Sequence, residues 1–357
     1  MTEAASAPTT AKPRAPRVAL WDHARLVLIL LVVVGHSIST IRTDSGFAYG
    51  LYAWIYLFHM PGMIVLSGVF SKPDTSPKVV AGTVRLVGTW LLFELIWVGI
   101  RALAGATAIS QNFLVVPAWT LWFLVTLVTM RILLPYIARL RHPFIFSIVL
   151  ALLAGFTPEI GTAFSVSRTL VFLPFFVAGW LAKDRGWLDG EWFHRPTAAL
   201  KAGAWAALAA AAAVFVAFPN MRNVWRIDHW IVWRDSYAQL LDGPVWRVLL
   251  EGSAIRFGLL AVAAILTFAV LIVVPRREGK LTVWGARTLY VYLLHAPIIY
   301  FARESGLIDW FGSFGVPGVL ALIVCALALT AALSSGLVAK VFRPVIEPSF
   351  GWTMARG

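Results

Sequence analysis

Cysteine is all but absent: Cys325 is the single one in 357 residues, and it stands inside an apolar run. That excludes a disulfide framework and every paired-cysteine metal or redox motif. Charge is scarce as well. Only 13% of the residues are Asp, Glu, Lys or Arg, against about 25% in a soluble domain. Acidic residues are the scarcer sign, 17 against 30 basic ones. No internal repeat is visible. What fills the chain instead is apolar: 60% of the residues are hydrophobic and the mean hydropathy is +0.80.

The apolar residues fall in blocks of about 20 rather than in amphipathic stripes, which is the signature of bilayer-spanning helices. Seventeen Trp and eight Tyr suit a protein with two membrane interfaces to anchor. The sequence therefore predicts an all-α, polytopic transmembrane helical bundle in the lipid bilayer. Ten spans are expected, near 19–40, 50–71, 81–104, 118–138, 143–158, 168–184, 198–218, 249–274, 281–302 and 315–339. The fifth and sixth are short for a bilayer. Residues 1–16, rich in Ala, Pro and Thr, read as a disordered tail. A basic stretch followed by an apolar one resembles a signal peptide, but the apolar stretch is long and lacks a small-residue cleavage site. It reads as a retained first span.

A net charge of +13 would suggest nucleic acid in a soluble protein. Here the Lys and Arg residues alternate sides along the chain, so no nucleic-acid partner is expected. One set of loops and tails holds seventeen of them; the other holds Arg42, Arg168, Arg222, Arg226, Arg234, Arg247 and Arg303. The positive-inside bias then puts both termini in the cytoplasm. Residues 17–345 form the membrane domain and 346–357 a cytoplasmic tail, with no appended soluble domain expected. The long loop 219–248 falls outside the cell membrane, either as a lid or acceptor-binding element or as an inert interfacial loop.

Ionisable groups inside spans cost roughly 2.5–3.5 kcal/mol each on insertion scales, so each is a functional candidate. They are Arg25, His36, His59, Arg85, Glu94, Arg101, Arg131, Arg256, Arg287 and His295. Arg25 and His36 are eleven residues apart on the first helix, about 20° from facing the same way and about 16 Å apart along its axis. Asp22, one turn before Arg25, is placed to pair with it. Arg25 reads equally as a residue snorkelling to headgroups, and His36 as a hydrogen-bonded packing residue. His59 and His295 fall at the depth of His36, as a proton-handling cluster or, less readily, a metal site, since no HExxH-like acidic ligand accompanies them. Glu94 and Arg101, seven apart on the third span, read as a buried structural pair. Arg85 joins Lys72, Lys78 and Arg25 in a basic patch fit for a phosphorylated ligand.

These residues resemble those of the acyltransferase-3 superfamily, membrane O-acyltransferases related to fucose 4-O-acetylase and to the acyl-transferring half of peptidoglycan O-acetyltransferases. Four segments match in order. They are Trp21-Asp-His-Ala-Arg25 through Val34-Gly-His36-Ser37; Phe58-His59-Met60-Pro61 through Leu66-Ser67-Gly68; Trp119 through Leu127, with its Trp122-Phe123-Leu124 core; and Tyr290-Val-Tyr-Leu-Leu-His295. Around Arg85 the proline often found in the family's third helix is replaced.

The resemblance implies a multi-pass enzyme, of the bacterial plasma membrane, with no permanently bound cofactor. It implies transfer of an acyl group, often acetyl, from cytoplasmic acyl-CoA to a hydroxyl of a glycan, glycolipid or secondary metabolite. The residue chemistry fits. Arginine clamps phosphates, and a histidine titrating near neutrality activates a hydroxyl. His36 is the expected base, His59 and His295 the orienting or polarising groups, and Arg25 and Arg85 the donor-binding residues. A transporter or flippase is the alternative, because intramembrane Arg, Glu and His also mark substrate paths.

Overall fold

The computed structural model describes residues 19–105, 112–218, 221, 223 and 226–348. The expected tail 1–16, residues 349–357 of the expected C-terminal tail and part of the loop 219–248 lie outside the described residues. Among the described residues all regular structure is helical. Eleven helices have ten residues or more: α1 Ala19–Ile38, α2 Gly46–Val69, α3 Pro77–Leu103, α4 Trp122–Ile137, α5 Pro143–Leu153, α6 Val166–Asp184, α7 Ala198–Ala217, α8 Val245–Val273, α9 Thr288–Glu304, α10 Val316–Leu333 and α11 Gly336–Ile346.

Their limits follow from local chemistry. Ser45, Thr197 and Ser335 cap α2, α7 and α11 by accepting hydrogen bonds from the backbone N–H of Ala48, Leu200 and Val338, which satisfies donors the helix cannot use internally. Pro77 and Pro143 open α3 and α5 at positions where a missing N–H costs nothing.

Eight of the ten expected spans are long and apolar enough to cross a membrane unaided. Two depart from expectation. The fifth is helical over only eleven residues, Pro143–Leu153, about 16 Å, because Gly155, Thr157 and Pro158 end it early. The ninth is broken into a short helix, Lys280–Gly285, and α9, with Arg287 between them. The sixth is longer than expected, since a 3₁₀ turn at Ala163–Ser165 extends α6 backwards. The tenth stops at Leu333, and α11 follows as a separate piece.

The chain nevertheless traverses the bundle at both irregular places. Arg168, at the start of α6, lies 4.6 Å from the Trp122 ring at the start of α4. Both helices therefore begin at one end, and α5 with residues 154–162 carries the chain back between them. Likewise α9 begins where Arg287 donates to Ser334 O at 2.9 Å and finishes where Arg303 sits 5.5 Å from the Trp119 ring. Gly285 packs on the Asp22 backbone, so the starts of α1 and α9 share an end with the finish of α10. Ten passes return the described chain to the side from which it started.

Helices α1, α2 and α6 form the buried centre, while α3, α7 and α10 turn much of their apolar surface outward. Exposed Leu95, Phe257, Ile265 and Val324 belong to a surface whose solvent is hydrocarbon. The tightest crossing is between α2 and α6. A Cβ on Gly68 would collide with Phe176 O, and one on Gly179 with Val65 O. Two backbones thus meet directly, as small residues permit in a membrane, where apolar burial offers no net drive between helices.

The long loop is anchored rather than free. Tyr237 is fully buried; its hydroxyl donates to Leu152 O at 2.9 Å, and its N–H to Gly155 O at 2.8 Å. Arg256, buried in α8, stacks 4.5 Å over that ring and donates to Asp235 O at 2.7 Å. Burial pushes the Tyr237 phenol above its ordinary range, opposed by the nearby Arg256 charge.

Gly179→Ala is expected to destabilise the protein by about 2 kcal/mol or more, as overpacked contacts do. A clear fall in the thermal midpoint in detergent checks this. Gly99→Ala, with open space around it, should leave the midpoint unchanged.

Candidate active site

His36 sits in the last turn of α1 and lines a cavity of about 1020 Å³ at the bundle end opposite Arg25. Tyr52 and Tyr56 of α2, Glu94, Trp97 and Arg101 of α3, and Trp119 and Trp122 before and in α4 form its walls. Arg168 of α6, Arg303 of α9 and Arg42 add charge, and the long loop contributes Val232 and Arg234. The loop is therefore a wall of the cavity.

Behind His36 lies His295 of α9. His36 Nδ1 and His295 Nε2 are 2.9 Å apart and the two rings are nearly coplanar, 11° between planes. His295 Nδ1 lies 2.8 Å from Val291 O. A carbonyl oxygen only accepts, so neutral His295 holds its proton on Nδ1 and presents a bare Nε2. His36 must then donate from Nδ1, and its own Nε2 carries the free lone pair. One fixed carbonyl thus sets the tautomer of two imidazoles. Trp119, with its ring centroid 5.2 Å from that of His36, holds the ring from the cavity side.

His59 is buried and tied differently, its Nδ1 2.7 Å from Ile55 O in its own helix. It meets His36 only across a small adjoining cavity of about 60 Å³ that both line. The three histidines are gathered, but only two are bonded to each other. Among the described residues no three His, Cys, Asp or Glu side chains converge as a metal ion would require. Trp122 lies in the site, stacked on Phe172 at 5.7 Å and under Arg168.

Glu94 and Arg101 do not form the buried pair that their helical spacing suggests. Glu94 Oε1 accepts from Trp90 Nε1 and from Ala118 N, both at 2.9 Å, and so pins the segment leading into Trp119. Arg101 is exposed in the cavity. Ser37 is turned away, its hydroxyl donating to Val33 O at 2.9 Å within α1.

Arg25 stands at the far end of the same unbroken helix. It pairs with Asp22 at 3.3 Å, as the spacing predicts, and lies 4.4 Å from the Phe70 ring at the end of α2. Lys72, Lys78 and Arg85 are exposed side chains of that half of the bundle. The large cavity includes His36 and not Arg25 among its lining.

Sequence reasoning missed the arginines around His36. Arg42, Arg168, Arg234 and Arg303 are four of the seven basic residues on the less basic side, read there only as topology counts. Their signal was that arginine is disfavoured on that side, so a surplus at a few positions needs a cause.

No curated protein and no solved structure matches the chain. The acyltransferase-3 family, described as an acyltransferase domain, matches residues 18–335. That stretch holds the whole bundle from α1 to the end of α10, the imidazole pair and every wall of the cavity, and the chain belongs to this family as a multi-pass membrane acyltransferase.

Proposed function

We propose that the protein is an O-acyltransferase that moves an acyl group, acetyl in the simplest case, from cytoplasmic acyl-CoA to a hydroxyl of a sugar, glycan or related acceptor on the other side of the cell membrane. The observation that carries this reading is the hydrogen bond from His36 to His295, which leaves His36 Nε2 as an oriented, unprotonated base beside a large polar cavity.

The acceptor occupies that cavity with its hydroxyl against His36 Nε2. His36 takes the hydroxyl proton while the oxygen attacks the thioester carbonyl. The carbon–sulfur bond then breaks, and the CoA thiolate recovers the proton from the imidazolium. An ester and a free thiol result. A hydroxyl is a poor nucleophile until a base removes its proton, and this step is worth about 10²–10⁴ in rate. His295 acts as a positioning residue: it accepts from His36 Nδ1, fixes the tautomer and shares the charge of the imidazolium. His59 contributes to the wall behind His36 rather than to proton transfer.

The donor approaches from the Arg25 end, the more basic side by the count of loop charges in the sequence, as the positive-inside rule expects of the cytoplasmic face. Arg25, Arg85, Lys72 and Lys78 are the cations available there to the CoA phosphates. The acyl arm then has about 16 Å to cover along α1 to reach His36.

His36→Ala is expected to lower kcat at least about 100-fold in folded protein, measured with radiolabelled acetyl-CoA and a panel of glycan acceptors. His36→Ala with full activity would falsify the assignment of the base, and counterflow of a glycolipid without CoA-dependent acylation would replace the enzyme by a transporter.

The base works only when neutral, so transfer should rise with pH through one titration step and fall away on acidification. His295→Phe should change the position of that step and lower kcat with little effect on KM. An unaltered profile in that variant would remove His295 from the mechanism. Arg25→Ala should instead raise KM for acyl-CoA with kcat nearly retained; the same measurement made on the acceptor should show no change.

A further inference from the structure

Five guanidinium groups line the cavity at His36: Arg42, Arg101, Arg168, Arg234 and Arg303. Among the described residues the only carboxylate in that lining is Glu94, and it is held by Trp90 and Ala118. Behind the wall, Asp228 stands 3.7 Å from Arg42 and Asp235 3.3 Å from Arg234. Granting both in full, together with Glu304 beside Arg303, five positive charges face four negative ones, and the cavity keeps an excess of one. Arg168 is spent on the Val232 carbonyl and on the face of Trp122. Arg303 pairs at 3.2 Å with Glu304, outside the cavity lining, and rests on Trp119 and Tyr300. Arg101 makes no hydrogen bond or ion pair with any described residue. A neutral sugar has no use for such a set, because hydroxyls need donors and acceptors in similar number. Forked, weakly hydrated guanidinium groups are the side chains suited to oxyanions.

The remaining wall is aromatic: Trp97, Trp119, Trp122 and the stacked pair Tyr52 and Tyr56, with ring centroids 3.9 Å apart. Flat apolar faces beside charged forks suit a ring with a substituted, partly apolar face. The volume, about 1020 Å³, lies at the upper end of small-molecule sites and admits more than one saccharide ring.

We propose, resting on the acyl-transfer reading above, that the acceptor is an anionic saccharide: a sugar whose ring or attachment carries a phosphate or a carboxylate close to the hydroxyl that is acylated. The arginines hold the oxyanion, the tryptophans hold the ring, and the hydroxyl is thereby brought to His36 Nε2. Discrimination comes from charge, since a neutral sugar leaves the excess positive charge of the cavity, carried by Arg101, without a counter-charge.

The test is a tryptophan-fluorescence titration of the full-length protein in detergent, with glucose, glucuronate and glucose 1-phosphate as probes. At least one of the two anions should bind tenfold or more tightly than glucose, and its affinity should weaken with added salt. Comparison of the two tells whether carboxylate or phosphate is the charge selected. Arg101→Gln and Arg303→Gln should each weaken the favoured anion about tenfold, equal to about 1.4 kcal/mol, and leave glucose and the thermal midpoint unmoved. Equal binding of all three sugars, no saturable binding of either anion, or full anion affinity in Arg101→Gln overturns the proposal. So does a loss in Arg101→Gln that shows up in an acyl-CoA titration instead, since the cavity would then be the donor's. The titration needs no turnover, so anions that bind well while acyl-CoA is never consumed would leave this site standing and remove the transferase reading alone.

Discussion

The hydrogen bond between His36 and His295 joins the first long helix to the ninth across 259 residues of sequence. His295 is fully buried, and a buried polar group without a partner costs free energy comparable to the bond it lacks. The bundle must therefore bring α1 and α9 to one register and hold them there. The contact of Gly285 with Asp22 fixes the start of α9 against the start of α1. The backbone crossing of α2 and α6 fixes the wall that faces them. With those distances set, the carbonyl of Val291 decides which nitrogen of His36 is bare.

The same economy runs through the other polar groups. Glu94 holds an irregular segment by its N–H and positions Trp119, which in turn faces His36. Arg256 and Tyr237 nail the long loop to α5 and α8, so Val232 and Arg234 can serve as walls. The buried charges of Glu94 and Arg256 are thus matched to backbone that would otherwise be stranded. That is how irregular chain survives at membrane depth when it lies within protein.

Much of the fold was legible because hydrocarbon imposes a length on every crossing. Blocks of apolar residues located ten passes and their alternation. The limits at α5 and α9 were not legible from hydropathy, which scores Gly155 and Arg287 as single residues and not as places where the backbone turns. The pairing of Arg25 with Asp22 and the placing of His36 at the other end of α1 were readable because all three share one helix, whose geometry converts sequence spacing into direction. Glu94 and Arg101 failed on the same logic: the partner that wins Glu94 is Ala118 N, 24 residues on, and periodicity is silent about neighbouring helices. The arginines of the cavity come from five separate stretches of chain, so only the folded bundle assembles them. The family match carries the reaction class, and the local geometry adds which nitrogen of His36 is bare.

The order in which the chain is made adds one consequence for the imidazole pair. At about 5–20 residues per second, the 259 residues between His36 and His295 take about 15–50 s to synthesise. For that interval α1 resides in the bilayer with an unmatched histidine, and its insertion rests on its own leucines, isoleucines and valines. The tautomer of His36 is thus set late in biogenesis, by nearly the last helix to arrive, and a truncated chain that inserts normally would still lack it.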